Sequence, residues 1–420
     1  LNINLLSINN LNLEYFIAKR LVTAKSHKSS VSSPIIKIAI IAIAVSVIMM
    51  IMSIATGIGL QNKIRDKISA FNGHVVISTH DDNQSQVSTI PISIEQNFYP
   101  KFNIVEGVSH IQAVATKAAM IRTEETVEGV IFKGVGEDYK WDNIKEYLVE
   151  GDLPSINKKR TDEIVMSQYL AKRLNLKLND VCRTYFIKSE NKGYNLRSFK
   201  LVGIFNSGFE EFDANIVLGD LKHIQHINKW NDNEAGSFEV FLNDFSAIDT
   251  KGEEIRKEIP PLYNSVTIKD KYYSIFEWLK LFDFNILVIL IVMIIVSTIN
   301  MTVALLVLIL ERTQMVGVLK AIGADNWSIR KIFIYNAFHI IARGLFWGNL
   351  IAISLLLIQK YFGVVKLDPE SYYVSQAPVD INITYIVLLN IGTIGVCLLV
   401  LLIPSYIITK ISPVKAIRFD

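Results

Sequence analysis

The sequence predicts an α-helical integral membrane protein with four transmembrane helices and a large α+β extracytoplasmic domain between helices one and two. Three observations carry that prediction. Half of the 420 residues are hydrophobic and the mean hydropathy is +0.32, too apolar for a chain made only of soluble domains. Four predominantly apolar segments, 35–60, 284–310, 333–360 and 383–408, reach the length of roughly 20 residues that a bilayer core demands. Between the first two lie roughly 220 residues of ordinary soluble character, enough for one or two domains.

Composition also excludes functions. A net charge of +3 offers no concentrated basic face for nucleic acid. Two cysteines, Cys182 and Cys397, are too few for a disulfide framework, and the seven histidines form no H-E-x-x-H motif, so no metal site is indicated. No G-x-x-x-x-G-K-[ST] loop is present to cradle nucleotide phosphates. Glu124-Glu125 and Glu210-Glu211 are adjacent carboxylates, but sequence neighbours do not face each other on regular structure. No catalytic constellation emerges.

Taken in order, 1–34 is a cytoplasmic N-terminal segment with an interfacial helix. Leu13, Phe16, Ile17, Leu21 and Ala24 share one helical face while Lys19, Arg20 and Lys25 lie elsewhere. Pro34 opens the first transmembrane helix, 35–60, charged only at Lys37. Its apolar core is longer than the roughly 7 to 15 residues of a signal peptide, and it reads as an uncleaved anchor. Lys19, Arg20, Lys25, Lys28 and Lys37 crowd its N-terminal side and orient that end towards the cytoplasm.

The extracytoplasmic (periplasmic) domain with its stalks, 61–283, begins with an amphipathic continuation, 61–71, then a strand at 74–77. Further strands are expected at 127–135, 163–166, 181–188, 196–205 and 238–242, and helices at 168–176, 247–259 and 268–282. The polar Gly/Asn stretch 189–195 is a hairpin turn.

The second transmembrane helix, 284–310, is about 40 Å long and charge-free, and runs straight into the segment 311–332. There Met315, Val318, Leu319 and Ile322 recur at helical spacing, Arg312 and Lys320 lie to the side, and Gly323 supplies the stop. This pattern reads as a docking element for a soluble partner. On the second helix, Ser297 and Asn300 could support interhelical contacts. The third helix, 333–360, has a polar N-terminal half in which Asn336, His339 and Arg343 share a face, and Arg343 is expected to snorkel to the headgroups. A short periplasmic loop, 361–382, precedes the fourth helix, 383–408, where Gly392 and Gly395 would permit close packing and Pro404 a kink. The tail, 409–420, returns to the cytoplasm.

The residues of 311–324 carry a resemblance. Glu311-Arg312-Thr313, Gly317, Leu319-Lys320-Ala321 and Gly323-Ala324 are similar to the E-R-x-x-E-I-G-x-L-K-A-L-G-A coupling segment of the MacB/FtsX superfamily of ABC-transporter permeases, with Met315-Val316 replacing Glu-Ile. The terminal Ser412-Pro413-Val414-Lys415-Ala416-Ile417-Arg418, together with Gly151-Asp152-Leu153 and Tyr169 to Leu174, resembles the same family, across essentially the whole chain. Asn72-Gly73-His74-Val75-Val76-Ile77 and Phe132-Lys133-Gly134-Val135 are similar to its lipoprotein-releasing LolC/LolE branch.

The resemblance implies a bacterial inner-membrane permease subunit with both termini cytoplasmic. Glu311, Arg312, Met315, Gly317, Leu319, Lys320, Ala321, Gly323 and Ala324 would couple it to a separate cytoplasmic ABC ATPase. This chain would bind no cofactor, ATP and Mg being held by that ATPase. A second permease protomer, identical or paralogous, completes the complex. Release of lipoproteins follows from the branch, with the hairpin residues Lys188, Asn191, Gly193 and Tyr194 falling where the branch recruits a periplasmic lipoprotein chaperone. The hairpin is shorter here and lacks prolines. Alternatives are a MacB-like efflux permease, an FtsX-like regulator of cell-wall hydrolases and, from another class, a membrane sensor with an extracytoplasmic ligand-binding domain.

Overall fold

The computed structural model describes residues 13–23, 32–80, 86–187 and 193–411. In chain order α1 (Leu13–Thr23) and α2 (Ser32–Asn72) lead into β1 (Val75–Thr79), β2 (Ile92–Ser93), β3 (Val108–Arg122), β4 (Val127–Val135), α3 (Asp142–Lys145) and β5 (Leu148–Gly151). Next come β6 (Glu163–Ser167), α4 (Gln168–Arg173), β7 (Val181–Ile187), β8 (Tyr194–Phe205), α5 (Glu210–Asn215), β9 (Ile216–Asp220) and α6 (Leu221–Asn228). β10 (Glu234–Ala235), β11 (Ser237–Leu242), α7 (Ile248–Glu258), β12 (Tyr263–Thr267) and α8 (Ile268–Lys271) follow. The chain ends through α9 (Tyr273–Glu311), α10 (Thr313–Ala321), α11 (Asn326–Phe362), α12 (Pro369–Tyr372), α13 (Ile383–Ser405) and α14 (Ile407–Lys410). The described residues divide into two compact units, one within Leu1–Leu60, Lys280–Val365 and Ala377–Asp420, the other within Gln61–Leu279 and Lys366–Gln376.

In the first unit α2, α9, α11 and the run Ile383–Lys410 are long and apolar enough to cross a membrane. Helix is the form such runs must take, because it pairs every backbone group within the segment. The core gathers Ile43, Val47 and Met50 of α2 with Leu305 and Ile309 of α9, Phe333 and Ile341 of α11 and Leu401 of α13. Close approach is made by glycines other than those expected. A Cβ on Gly344 would lie 2.6 Å from Ile43, and one on Gly348 2.9 Å from Val47 and 3.0 Å from the Ala44 carbonyl oxygen, so α11 meets α2 along a small-residue seam. Gly392 and Gly395 have open space around them.

The polar N-terminal half of α11 is explained by α1, which packs along it. Ser328 donates to Glu14 at 3.1 Å, Lys331 lies 3.6 Å from the same carboxylate, and Tyr15 meets Tyr335 edge-on at 6.0 Å. Asn336, His339 and Arg343 share a face of α11 as expected, and that face is covered at Asn336 and open at Arg343.

The second unit is built on a ten-stranded mixed sheet in the order β12-β1-β11-β3-β4-β9-β6-β8-β5, with β7 bridging β3 and β8. Its longest strand, β3, has no clean alternation because Gln112 and Lys117 are buried in it, and periodicity passes over it for that reason. The core is aromatic: Phe132 stacks on Phe199 at 5.1 Å, and Phe71 on Phe212 at 4.9 Å. The stretch 366–376 corrects the expectation of a plain loop. A Lys366–Gln376 bridge closes it, α12 turns within it, and Tyr373 stacks on Phe209 at 4.8 Å while its carbonyl accepts from Lys67 at 2.8 Å. Two further expectations shift at their edges. α9 starts at Tyr273, with only Tyr272 separating it from α8, and Pro404 stands one residue before the end of α13.

Gly348→Val is expected to cost about 1–3 kcal/mol, because the added side chain overpacks a closed seam, whereas Gly392→Ala should leave the protein unchanged. Thermal unfolding of the detergent-solubilised variants, read as midpoint shifts, checks both.

Candidate functional site: the segment joining the second and third long helices

The segment 311–332 is a braced helical elbow. At Arg312 the backbone leaves helical geometry (φ −102°, ψ 17°), and α10 starts at Thr313, whose hydroxyl donates back to Leu310 O at 2.7 Å. α10 stops at Gly323, where φ is +95°, a conformation that costs any residue with a Cβ. Ala324 N donates to Leu319 O at 3.0 Å and Gly323 N to Lys320 O at 3.1 Å, pairing carbonyls that the helix end would leave open. Asp325 then caps α11, accepting from Trp327 N at 3.1 Å and Ser328 N at 3.3 Å. The hydrogen bonds from Ser328, with Trp327 adding to them, hold its carboxyl below the usual range.

The expected apolar stripe divides in two. Met315 and Leu319 are half-buried against the core beside the fully buried Val316, and Gly317 is buried too. Val318 is 48% exposed and Ile322 76%, and with Trp327 at 48% they form an outward apolar surface. Glu311, Ala321 and Gly323 are exposed beside it, and Arg312 and Ala324 are half-buried.

Lys320 does not lie to the side. Its ammonium donates to the carbonyls of Ile408 (2.7 Å), Thr409 (3.2 Å) and Ile411 (2.9 Å), and burial pulls its pKa below that of a free lysine. Arg330 adds a second staple, with Nε donating to Ser405 Oγ at 3.0 Å and Nη2 to Leu402 O at 3.0 Å. Both cations satisfy carbonyls at helix C-termini, where the dipole favours positive charge. Periodicity carried no signal for either contact, because the partners lie some 75 to 90 residues away in the chain.

The other singled-out residues are apart from this elbow. Ser297 is buried, and its hydroxyl has no hydrogen-bond partner among the described residues. Asn300 donates to Val296 O of its own helix at 3.0 Å. An interhelical polar link is made instead by Asn349 with Asn390, each amide donating to the other at 2.7 and 2.9 Å. In the hairpin, Lys188 and Asn191 lie outside the described residues. Gly193 takes φ +102° in open space, and Tyr194 is 60% exposed with its ring 5.0 Å from Tyr185. Register places Met120, Tyr185 and Leu196 side by side, so this end of the sheet carries an exposed apolar face. Among the described residues no group of three or more His, Cys, Asp or Glu side chains could hold a metal ion.

His74 is half-buried and stands one residue before β1, which begins at Val75. Its Nδ1 accepts from Leu242 N at 2.8 Å, its ring meets Phe241 and Phe245 edge-on, and burial pushes it down to about 4.

Comparison with known proteins follows the geometry. Residues 287–413 match the model of the FtsX-like permease C-terminal domain, and residues 38–258 that of the MacB-like periplasmic core domain. The chain is 22% identical over 387 residues to a lipoprotein-releasing system transmembrane protein LolC of Buchnera aphidicola subsp. Schizaphis graminum, covering 90% of this chain and 92% of that one. An uncharacterized membrane protein of the same organism is 24% identical, covering 97% and 99%. The LolC of Haemophilus influenzae is 22% identical, covering 98% and 100%.

Two outcomes are expected. Lys320→Met should destabilise the protein by about 1–3 kcal/mol, since three buried-end carbonyls lose their donor; the melting midpoint reads it. For His74, a folded pKa of about 4 below an unfolded value of 6.5 means that only the unfolded chain takes up this proton between those values. Its contribution is therefore complete above pH 6.5 and falls as pH drops towards 4. His74→Asn, which keeps an acceptor for Leu242 N, should flatten that slope in pH-dependent melting curves.

Proposed function

Because the chain belongs to the MacB/FtsX family of ABC-transporter permeases, we propose that it is the permease subunit of an inner-membrane complex that releases lipoproteins from the membrane. Family membership makes it a bacterial inner-membrane protein and a non-catalytic subunit, with an ATPase partner and a dimeric arrangement. The lipoprotein cargo is our reading, and the observation that carries it is the near end-to-end alignment with relatives named for lipoprotein release.

In this reading the elbow faces the cytoplasm and Val318, Ile322 and Trp327 dock the ATPase subunit, which holds ATP and Mg. Two features support that role. The surface is apolar and exposed, and Lys320 and Arg330 tie its base to the end of the fourth long helix, so a push on it moves helices instead of a loop. α2 and α9 would carry that movement to the α/β unit on the periplasmic side, where the apolar face at Met120, Tyr185 and Leu196 receives cargo or a periplasmic lipoprotein chaperone. Two near end-to-end relatives in one organism favour a paralogous second protomer.

Val318→Asp/Ile322→Asp, which places two charges on already exposed positions, should leave folding intact and lower co-purified ATPase subunit by about tenfold or more. Undiminished co-purification, or no ATPase subunit with the unaltered protein, would sink the reading. Photo-crosslinkers at Met120 and Leu196 should yield lipoprotein or chaperone adducts; hydrolase adducts would instead identify a cell-wall regulator.

A further inference from the structure

At the end of α2 lies a knot of buried polar groups that neither the sequence pattern nor the family match assigns a task. Lys133 of β4 and Glu239 of β11 are both almost wholly buried and paired at 2.5 Å. The same ammonium donates to the carbonyl of Phe71, in the last turn of α2, at 2.5 Å. Gln112 of β3 donates to the other Glu239 oxygen at 2.8 Å, and accepts from Lys140 N at 3.0 Å. Next to it, Asn72 Oδ1 accepts from Lys271 at 3.1 Å and from the Tyr272 hydroxyl at 3.2 Å, the residues that lead into α9. Gly73 makes the turn at φ +68°, and a Cβ there would sit 2.9 Å from Glu239 Cβ.

Stability alone does not account for this arrangement. A buried ion pair is commonly matched or bettered by apolar residues of similar volume, since desolvation offsets the attraction. Apolar packing is also already present: Phe71 is surrounded by Tyr147, Phe205 and Phe212 at 4.9 to 6.0 Å. Such packing attracts without direction, so it holds a helix end in place and leaves its roll weakly defined. A charge-assisted hydrogen bond to one carbonyl defines the roll.

We propose that Lys133, held between the Phe71 carbonyl and the Glu239 carboxylate, is a positioning residue that fixes the rotation of α2 to the strands β3, β4 and β11, so that helix movement reaches the sheet without slip. The consequence for transport rests on the reading of the chain as an ATP-driven permease.

The test uses Lys133→Met/Glu239→Gln in the full complex, a neutral pair that keeps an acceptor for Gln112 and leaves no unpaired buried charge. Lys133→Arg serves as the conservative rescue. Spin labels at Asp66→Cys on α2 and Glu125→Cys beyond β3 report the joint by pulsed dipolar spectroscopy. The native Cys182 and Cys397 are buried, and burial pushes the Cys182 thiol up to about 11, so neither competes for label. A single narrow distance in the unaltered protein and in Lys133→Arg should become broad in the neutral pair. ATP hydrolysis should persist while release per ATP falls at least about fivefold. An unchanged distance distribution, or broadening with release per ATP unchanged, overturns the proposal. A wild-type complex without ATP hydrolysis overturns the transporter reading instead, and the distance width alone then decides whether Lys133 holds the joint.

Discussion

Helix ends are the constraint on which this structure depends. A long apolar helix pairs its own backbone everywhere except in its first and last turns, and wherever such an end is removed from water some other group must complete it. The protein uses polar side chains at those ends, some exposed and some buried. Asp325 and Asn382 accept from the opening turns of α11 and α13, and Gly363 closes α11 in left-handed geometry. Lys320 and Arg330 complete the carbonyls where the last long helix stops, and Lys133 completes α2. The caps at Asp325, Asn382 and Gly363 are local, whereas Lys320, Arg330 and Lys133 each join two distant stretches of chain, so these cations both complete a helix end and connect it to its surroundings.

This division of labour accounts for what could be read in the sequence. The apolar runs and the stop at Gly323 are local patterns, and each lies where its spacing indicates, whereas the start of α11 at Asn326, capped by Asp325, falls before the expected 333. The strand β4 is legible to the residue although Lys133 is buried in it, whereas β3, in which both Gln112 and Lys117 face inward, escapes the pattern. Cap contacts are invisible to periodicity for a different reason. Lys133 and Lys320 resemble solvated lysines until the chain folds a carbonyl from elsewhere against them. Small residues mislead in the same way: Gly392 and Gly395 look like a packing motif, but which glycines a helix turns towards its neighbour depends on the neighbour, and α2 selects Gly344 and Gly348.

Directional and non-directional forces have separate tasks here. Apolar contact fills both units, with Phe71, Phe205 and Phe212 in one and Ile43, Phe333 and Leu401 in the other. Such contact is tolerant of small rotations and would by itself allow elements to roll. Polar links occur throughout, and some of them stand at junctions, the end of α2 and the elbow, while the Asn349–Asn390 pair joins α11 and α13 along their lengths. Tyr373 is of the same kind, because its ring stacks on Phe209 while its carbonyl is fixed by Lys67. For the transmission of movement proposed above, directional links would define rotation at a joint while apolar contact leaves tolerance between joints.

The elbow itself departs from its family at Met315-Val316, where the resembling pattern has Glu-Ile. Val316 is fully buried in the helical core, so valine in place of isoleucine is a small loss of packed volume there. Position 315 is half-buried against the same core, where a carboxylate would have to turn outward to keep its charge in water. Methionine has no such demand; it can lie along the core and fill irregular space. The replacement therefore converts a position able to offer a charge to a partner into one that braces α10 from beneath. In the docking proposed for this elbow, the surface on offer would be the apolar triad Val318, Ile322 and Trp327, which an apolar socket on the partner would fit.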